Sequence, residues 1–208
     1  MPQKGKLAIE EVIDKIIAIN EVVRKFWTSA EGWAPVEASK LLNKSRLDWQ
    51  VSLSKCLKIW IEKPDADDVN GRLILAWTNL GSLIEGTMKL FLSIWYNSYK
   101  ENVNVIERRK KALDPDKLNL EYLRLFFKEA IWSENDKSIL DDWILNIQQK
   151  RNAIHAYKDR NIGNFIELYE NIREYLRFHS FINDRLPYPE ETYHPSLEYH
   201  DICKRTVE

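Results

Sequence analysis

Glycine and proline are scarce in this chain, which has 6 glycines and 7 prolines among 208 residues. No glycine lies between Gly86 and Gly163, and no proline lies between Pro115 and Pro187. An all-β sandwich or barrel needs turn residues every ~8–12 positions, so the sequence excludes that class. Long helices are the remaining way to build so much uninterrupted chain.

Cysteines and long uncharged hydrophobic runs are also rare. Two cysteines, Cys56 and Cys203, exclude a disulfide framework and a cysteine-rich zinc site, and we expect neither a metal nor a cofactor. The most hydrophobic segment, 73–99, contains Glu85 and Lys89 and falls short of the ~18 apolar residues of a membrane span. Acidic residues interrupt the N-terminal apolar run, as they would not in a signal peptide. These features predict a soluble cytoplasmic protein.

Apolar residues recur at helical spacing along most of the chain, which predicts an all-α helical bundle of about five to six helices. We expect residues 1–63 to form N-terminal helices that pack on a bundle core of 64–185, and residues 186–208 to form an extended tail of the same compact domain. The expected helices are 7–27, 35–63 with a bend near 43–45, 68–100, 118–131, 136–157 and 164–185.

The third of these helices has the clearest period. Its apolar residues lie within about 80° of one another at about 100° per residue, which predicts a stripe that faces the core. Gly81 and Gly86 are placed to allow a neighbouring helix to approach closely. The stripe consists of Trp77, Leu80, Ile84, Met88, Phe91 and Trp95.

The apolar stripe of the fifth helix is interrupted near its end by Arg151 and His155, which lie about 40° apart on an ideal helix. An unpaired buried charge costs several kcal/mol, so this end must face an acidic partner, a second subunit or a solvated pocket. A simpler explanation is that the cations here only complement the dipole at the end of the helix.

The segment Arg151-Asn152 followed by His155-Ala156-Tyr157 resembles the HEPN domain (higher eukaryotes and prokaryotes nucleotide-binding). Many members of that family are dimeric helical bundles and metal-independent ribonucleases, with an arginine and a histidine separated by four to six residues. In this chain only three residues separate Arg151 from His155, and Lys150 alone stands at the four-residue spacing.

The resemblance implies a role for each residue of the motif. His155 would act as general base or acid, because an imidazole gains or loses a proton near neutral pH. Arg151 would clamp the phosphate and stabilise the developing charge. Asn152, Tyr157 and Lys150 would bind or orient the substrate.

Residues outside the motif extend this hypothesis. Glu85, at the edge of the third helix's stripe, is expected to face Arg151 across the bundle and orient it. Although the net charge is −1, segment 147–160 carries a local charge of +3, which suits phosphate. The candidate RNA contacts are Lys158, Arg160, Arg108 and Arg109.

The sequence leaves three interpretations of the function open, so it does not decide whether the chain is an enzyme. The first is a homodimeric endoribonuclease or toxin-type defence effector, with an antitoxin or another protein as partner. The second is a non-catalytic HEPN-like module that binds a nucleotide, RNA or a partner protein. A third interpretation is a helical interaction protein whose motif match is accidental.

Overall fold

The structure is a computed structural model that describes residues 7–28, 35–62, 65 and 67–188. These residues form an all-α bundle, which confirms the predicted fold class. The helices are α1 (Ile9–Trp27), α2 (Val36–Lys44), α3 (Leu47–Cys56), α4 (Val69–Ile94), α5 (Tyr96–Glu101), α6 (Leu120–Ala130), α7 (Glu134–Arg151) and α8 (Phe165–Asn183). Short 3₁₀ turns follow α3 (Leu57–Ile61), precede α6 (Pro115–Lys117) and follow α7 (Asn152–His155).

Helix α4 is the centre of the bundle and packs against α2, α3, α6, α7 and α8. Five residues of its predicted stripe, from Trp77 to Phe91, are buried, whereas Trp95 is 37% exposed. The N-terminal helix α1 packs against α3 and α8. A single hydrophobic core therefore runs from Val12 in α1 to Leu186 after α8.

The described residues contain more helices than the five to six expected, because two predicted helices are broken. The second ends at the expected bend: Ser45 has extended backbone angles, and α3 starts at Leu47. The third was predicted to continue to residue 100, but Trp95 leaves the helical conformation with ψ 37°. The Trp95 indole donates to the Arg185 carbonyl at 3.2 Å, which ties the break to the end of α8.

The polar connection 101–117 contains a small hairpin that the sequence did not predict. Strands β1 (Glu107–Arg108) and β2 (Lys111–Ala112) pair antiparallel. Arg109 and Lys110 form the turn with φ of 54° and 61°. Such a turn ordinarily takes Asn-Gly, so an Arg-Lys pair gives no hairpin signal.

The predicted tail lies mostly outside the described residues. Its first part ends at Tyr188, whose ring packs against Phe26 and Trp27. The Trp27 indole donates to the Tyr188 hydroxyl at 3.2 Å, and that hydroxyl donates to Asn183. Residues 186–188 are thus attached to the C-terminal end of α1.

Candidate functional site

Helix α7 carries the Arg-Asn-x-x-His-x-Tyr motif at its C-terminal end. Its start is capped by Ser133, whose side chain accepts from the Asp136 amide. Arg151 is its last α-helical residue, and Asn152–His155 continue as a 3₁₀ turn. Ala156 then adopts a left-handed conformation, with φ 53°, which stops the helix. The expected α-helix to residue 157 is therefore wrong in its last six positions.

This early end of the helix changes the relation between Arg151 and His155. Four steps of ~100° would place them about 40° apart, whereas four 3₁₀ steps of ~120° place them about 120° apart. The Arg151 side chain is three-quarters buried, but His155 is exposed. Within the described chain the two residues thus flank the end of α7 and do not share one face.

Arg151 crosses α4 at Gly81. A Cβ atom on Gly81 would lie 2.6 Å from the Arg151 Cδ, so any other residue there would force this side chain to shift. The guanidinium donates to a Glu85 carboxylate oxygen at 2.8 Å and approaches the Gly81 carbonyl at 3.4 Å. The predicted contact between Glu85 and Arg151 is confirmed, and the close approach expected at Gly81 is made by this arginine.

Glu85 joins two cations. Its second carboxylate oxygen pairs with Lys89 at 2.9 Å, and Lys89 also donates to the Asp116 carbonyl. Burial raises the pKa of Glu85, but hydrogen bonds from Lys89 and Arg151 lower it by more, so its pKa lies below the usual range. Glu85 is therefore charged at neutral pH and fixes the guanidinium. Lys89 was not predicted as part of this site, although its i,i+4 spacing from Glu85 is a recognisable signal.

The surface beside Arg151 is formed by the residues that follow it. His155 and Tyr157 are exposed, Asn152 is half-buried, and Ile154 is 46% exposed. The buried residue of the turn is Ala153. An imidazole, a phenol and an apolar side chain are thus exposed within residues 154–157.

Lys150 points in a different direction from the rest of the motif. Its side chain is 5% exposed, and its ammonium pairs with Glu167 at 2.9 Å and lies 5.1 Å from the centre of the Trp77 ring. The Trp77 indole in turn donates to the Ile162 carbonyl at 2.8 Å. Lys150 thereby joins α7 to α4 and α8 inside the bundle.

The four candidate RNA contacts lie in two groups. Lys158 and Arg160 follow the motif along the chain, after the left-handed Ala156, and Arg108 and Arg109 belong to the hairpin. Arg160 is half-buried and the other three are exposed. In the parts of the chain that the structure describes, none of the four forms an ion pair. Among the described residues, no hydrogen bond or ion pair joins the hairpin to Arg151, which binds Glu85 and Gly81 instead.

A buried polar cluster lies on the other side of α4, and no role is predicted for its residues from the sequence. The hydroxyls of Thr87 and Tyr175 lie 3.1 Å apart, and the His179 ring stacks on Tyr175. A cavity of about 10 Å³, the size of one water molecule, lies beside His179, Asn20 and Thr87. Burial lowers the pKa of His179 to about 4. This histidine is therefore neutral in the native protein.

Neither a membrane span nor a metal cluster is evident in the described ranges. No helix there is long and apolar enough to cross a bilayer. The same residues contain no group of three or more histidine, cysteine or acidic side chains that could hold a metal ion.

Comparisons with known proteins do not add to this geometry. Neither a protein-family model, a curated protein nor a solved structure matches the chain.

Proposed function

We propose that this protein is a HEPN-type, metal-independent endoribonuclease, acting as a toxin or defence effector, with Arg151 and His155 as its catalytic residues. The observation that carries the proposal is the fixed position of Arg151 against Gly81 and Glu85, together with an exposed imidazole four residues further along the chain. A structural arginine in a bundle does not require such a histidine next to it.

The proposed reaction is transfer of the RNA phosphoryl group to the neighbouring 2′-oxygen. His155, in its neutral form, removes the proton from the 2′-hydroxyl, whose oxygen then attacks phosphorus. The bond from phosphorus to the 5′-oxygen breaks, that oxygen takes up a proton, and a 2′,3′-cyclic phosphate remains. The reaction balances without an oxidant, a reductant or a metal ion.

Arg151 stabilises the charge that develops on the phosphate oxygens. Its guanidinium offers a planar fork of donors, of which the structure engages Nη1 with Glu85 and the Gly81 carbonyl. The remaining donors stay available for phosphate oxygens. Tyr157 and Asn152 are placed to contact a base or the sugar, and Lys158 and Arg160 extend the positive charge along the backbone.

A homodimer completes this proposal. In one chain Arg151 and His155 diverge, so a second copy that contributes its own pair would place two arginines and two imidazoles around one phosphate. One imidazole would then act as base and the other as acid. Exposed Ile154 and Tyr157 supply apolar surface for that contact. We place the protein in the cytoplasm, with an antitoxin or another protein as a further partner.

A non-catalytic module that binds nucleotide, RNA or a protein is the second candidate function. The divergence of Arg151 and His155 in the single chain favours it, because binding does not require both side chains to reach one phosphate. Arg151 is then a helix-packing residue, and only the exposed groups contact the ligand.

The test is incubation of the purified protein with RNA in the presence of a metal chelator. We expect cleavage that leaves 2′,3′-cyclic phosphate ends, and no cleavage of the same sequence made with 2′-deoxyribose. RNA that stays intact at high protein concentration, in a preparation that binds it, supports the module instead.

A further inference from the structure

A groove of about 450 Å³ lies between the α2–α3 junction and α4. Ligand sites in proteins are typically about 300–1,000 Å³, so it has room for a nucleotide-sized group. Its lining includes Lys44, Arg46, Trp49, Gln50, Gly86 and Lys89. The Gln50 amide donates to the Leu83 carbonyl at 2.8 Å and occupies the space that a side chain at position 86 would need.

The charge of the groove is positive. Lys44 ends α2, Arg46 lies between α2 and α3, and Lys89 lies in α4. Asp116 is the acidic residue of the lining, so the lining residues sum to +2 in a chain of −1. Arg46 also pairs with Asp48, as Lys89 does with Glu85. Lys44 is exposed and forms no ion pair with any residue that the structure describes. Asp48 and Glu85 offset two of the three cations, and Lys44 therefore remains available to pair with an anionic ligand.

Trp49 gives the groove a stacking surface. Its side chain is 58% exposed, and the Arg46 guanidinium lies 4.1 Å from the centre of its ring. Exposed aromatic rings next to cations are how proteins hold single-stranded nucleic acid, because each base has a face to stack while the cations follow its phosphates. In a duplex the base faces stack on one another and are not available to the Trp49 ring, and an acidic peptide has no base to stack on it.

Two ion pairs connect the groove to the motif. Lys89 lines it and binds one oxygen of Glu85, and the other oxygen of Glu85 binds Arg151. A strand bound along Lys44, Trp49 and Lys89 would thus continue toward the guanidinium.

We propose that this groove binds a single-stranded segment of RNA next to the nucleotide held at Arg151 and His155. The proposal rests on the ribonuclease function proposed above, of which it specifies the substrate as unpaired RNA. Trp49 stacks a base, and Lys44, Arg46 and Lys89 contact phosphates.

The test measures binding of a labelled single-stranded RNA to the full chain by fluorescence anisotropy, in a His155→Ala background that prevents cleavage. We expect Trp49→Ala to weaken binding by about fivefold or more, and Trp49→Tyr to retain most of it. Lys44→Glu should weaken binding and reduce its salt dependence. The matched control is Lys40→Glu, which makes the same charge change at an exposed position of α2 outside the groove.

The proposal is overturned if Trp49→Ala binds single-stranded RNA as tightly as the parent protein, or if Lys40→Glu and Lys44→Glu lose the same amount of affinity. It is also overturned if the protein binds the duplex of the same sequence equally well, or binds a polyglutamate peptide in place of RNA. Circular dichroism checks that each variant is folded.

Cleavage by the protein with a native His155 is scored separately. Loss of binding in the groove variants without any cleavage would reject the ribonuclease and keep the groove, whereas cleavage that Trp49→Ala and Lys44→Glu leave unchanged would reject the groove alone.

Discussion

The Arg151 guanidinium donates to the Glu85 carboxylate at 2.8 Å, after its side chain has crossed α4 in the space left by Gly81. The contact joins α7 to the central helix at the end that carries the motif. Both side chains are mostly buried, with 25% and 18% of their surface exposed. A pair in this position affects both the stability of the bundle and the direction of the arginine.

The variant Glu85→Gln tests how much this pair stabilises the fold. A hydrogen bond to a charged group contributes about 1.5–3 kcal/mol, so we expect the free energy of unfolding at pH 7 to fall by about that amount. The folded-state pKa of Glu85 is lowered, so its contribution is complete above the ordinary value of 4.5 and is lost as the pH falls through the folded value. Urea unfolding of both proteins should differ at pH 7 and converge in acid. A difference that stays constant with pH would show that the carboxylate charge is not involved.

The variant Gly81→Ala tests the close approach of Arg151. The new Cβ would lie 2.6 Å from the Arg151 Cδ, and overpacking of this kind costs about 1–3 kcal/mol, more than the ~1 kcal/mol gained in helix propensity. We therefore expect lower stability and weaker activity toward RNA.

Gly71→Ala is the matched control on the same helix. A Cβ there meets nothing within 4 Å, so we expect stability to be unchanged or to rise by up to ~1 kcal/mol. If Gly81→Ala and Gly71→Ala change the unfolding midpoint equally, contact with Arg151 does not account for the effect of Gly81→Ala.

Lys150 is expected to act on stability and not on catalysis. Its ammonium is buried with Glu167 and over the Trp77 ring, which leaves no surface for a substrate phosphate. Lys150→Met keeps the length of the side chain but leaves the Glu167 carboxylate, 40% exposed, without its partner. We expect a loss of about 1–3 kcal/mol in unfolding free energy, with RNA cleavage per folded molecule unchanged. A lower cleavage rate in a variant of wild-type stability would give Lys150 the substrate role that the sequence suggested.

His179 is expected to make the fold sensitive to mild acid. Its pKa is lowered to about 4 by burial, from an ordinary value of 6.5. Above pH 6.5 both states are neutral, whereas between 6.5 and 4 the unfolded state alone binds the proton, so stability declines by up to ~1.4 kcal/mol per pH unit.

The variant His179→Leu separates this effect from that of the carboxylates. We expect its unfolding free energy to vary less with pH than that of the wild type between pH 6.5 and 4. Equal slopes over that interval would show that His179 takes up its proton in the folded state as readily as in the unfolded one.

The sequence was sufficient to predict the helical class, the core stripe of α4 and the pairing of Glu85 with Arg151, because these follow from helical periodicity and from the cost of an unpaired buried charge. It predicted the end of α7 wrongly, because Ala156 carries no sign of its left-handed conformation: glycine or asparagine usually occupies such a position. The hairpin turn was not predicted for the same reason, because neither Arg109 nor Lys110 is a residue type that indicates a positive φ. The different directions of Lys150 and Arg151 depend on which residues of α4 and α8 face them, which the sequence of a single helix does not reveal.

The catalytic role of His155 is the central claim. Its most direct test is the rate of RNA cleavage, in the presence of a chelator, by the wild type, by His155→Ala and by the exposed neighbouring control Asp159→Ala. His155 is exposed, so its removal should leave the unfolding midpoint unchanged. General acid–base catalysis contributes typically ~10²–10⁴-fold, and we expect His155→Ala to lose at least about 100-fold while Asp159→Ala keeps the wild-type rate. Equal cleavage rates in His155→Ala and the wild type would contradict the account.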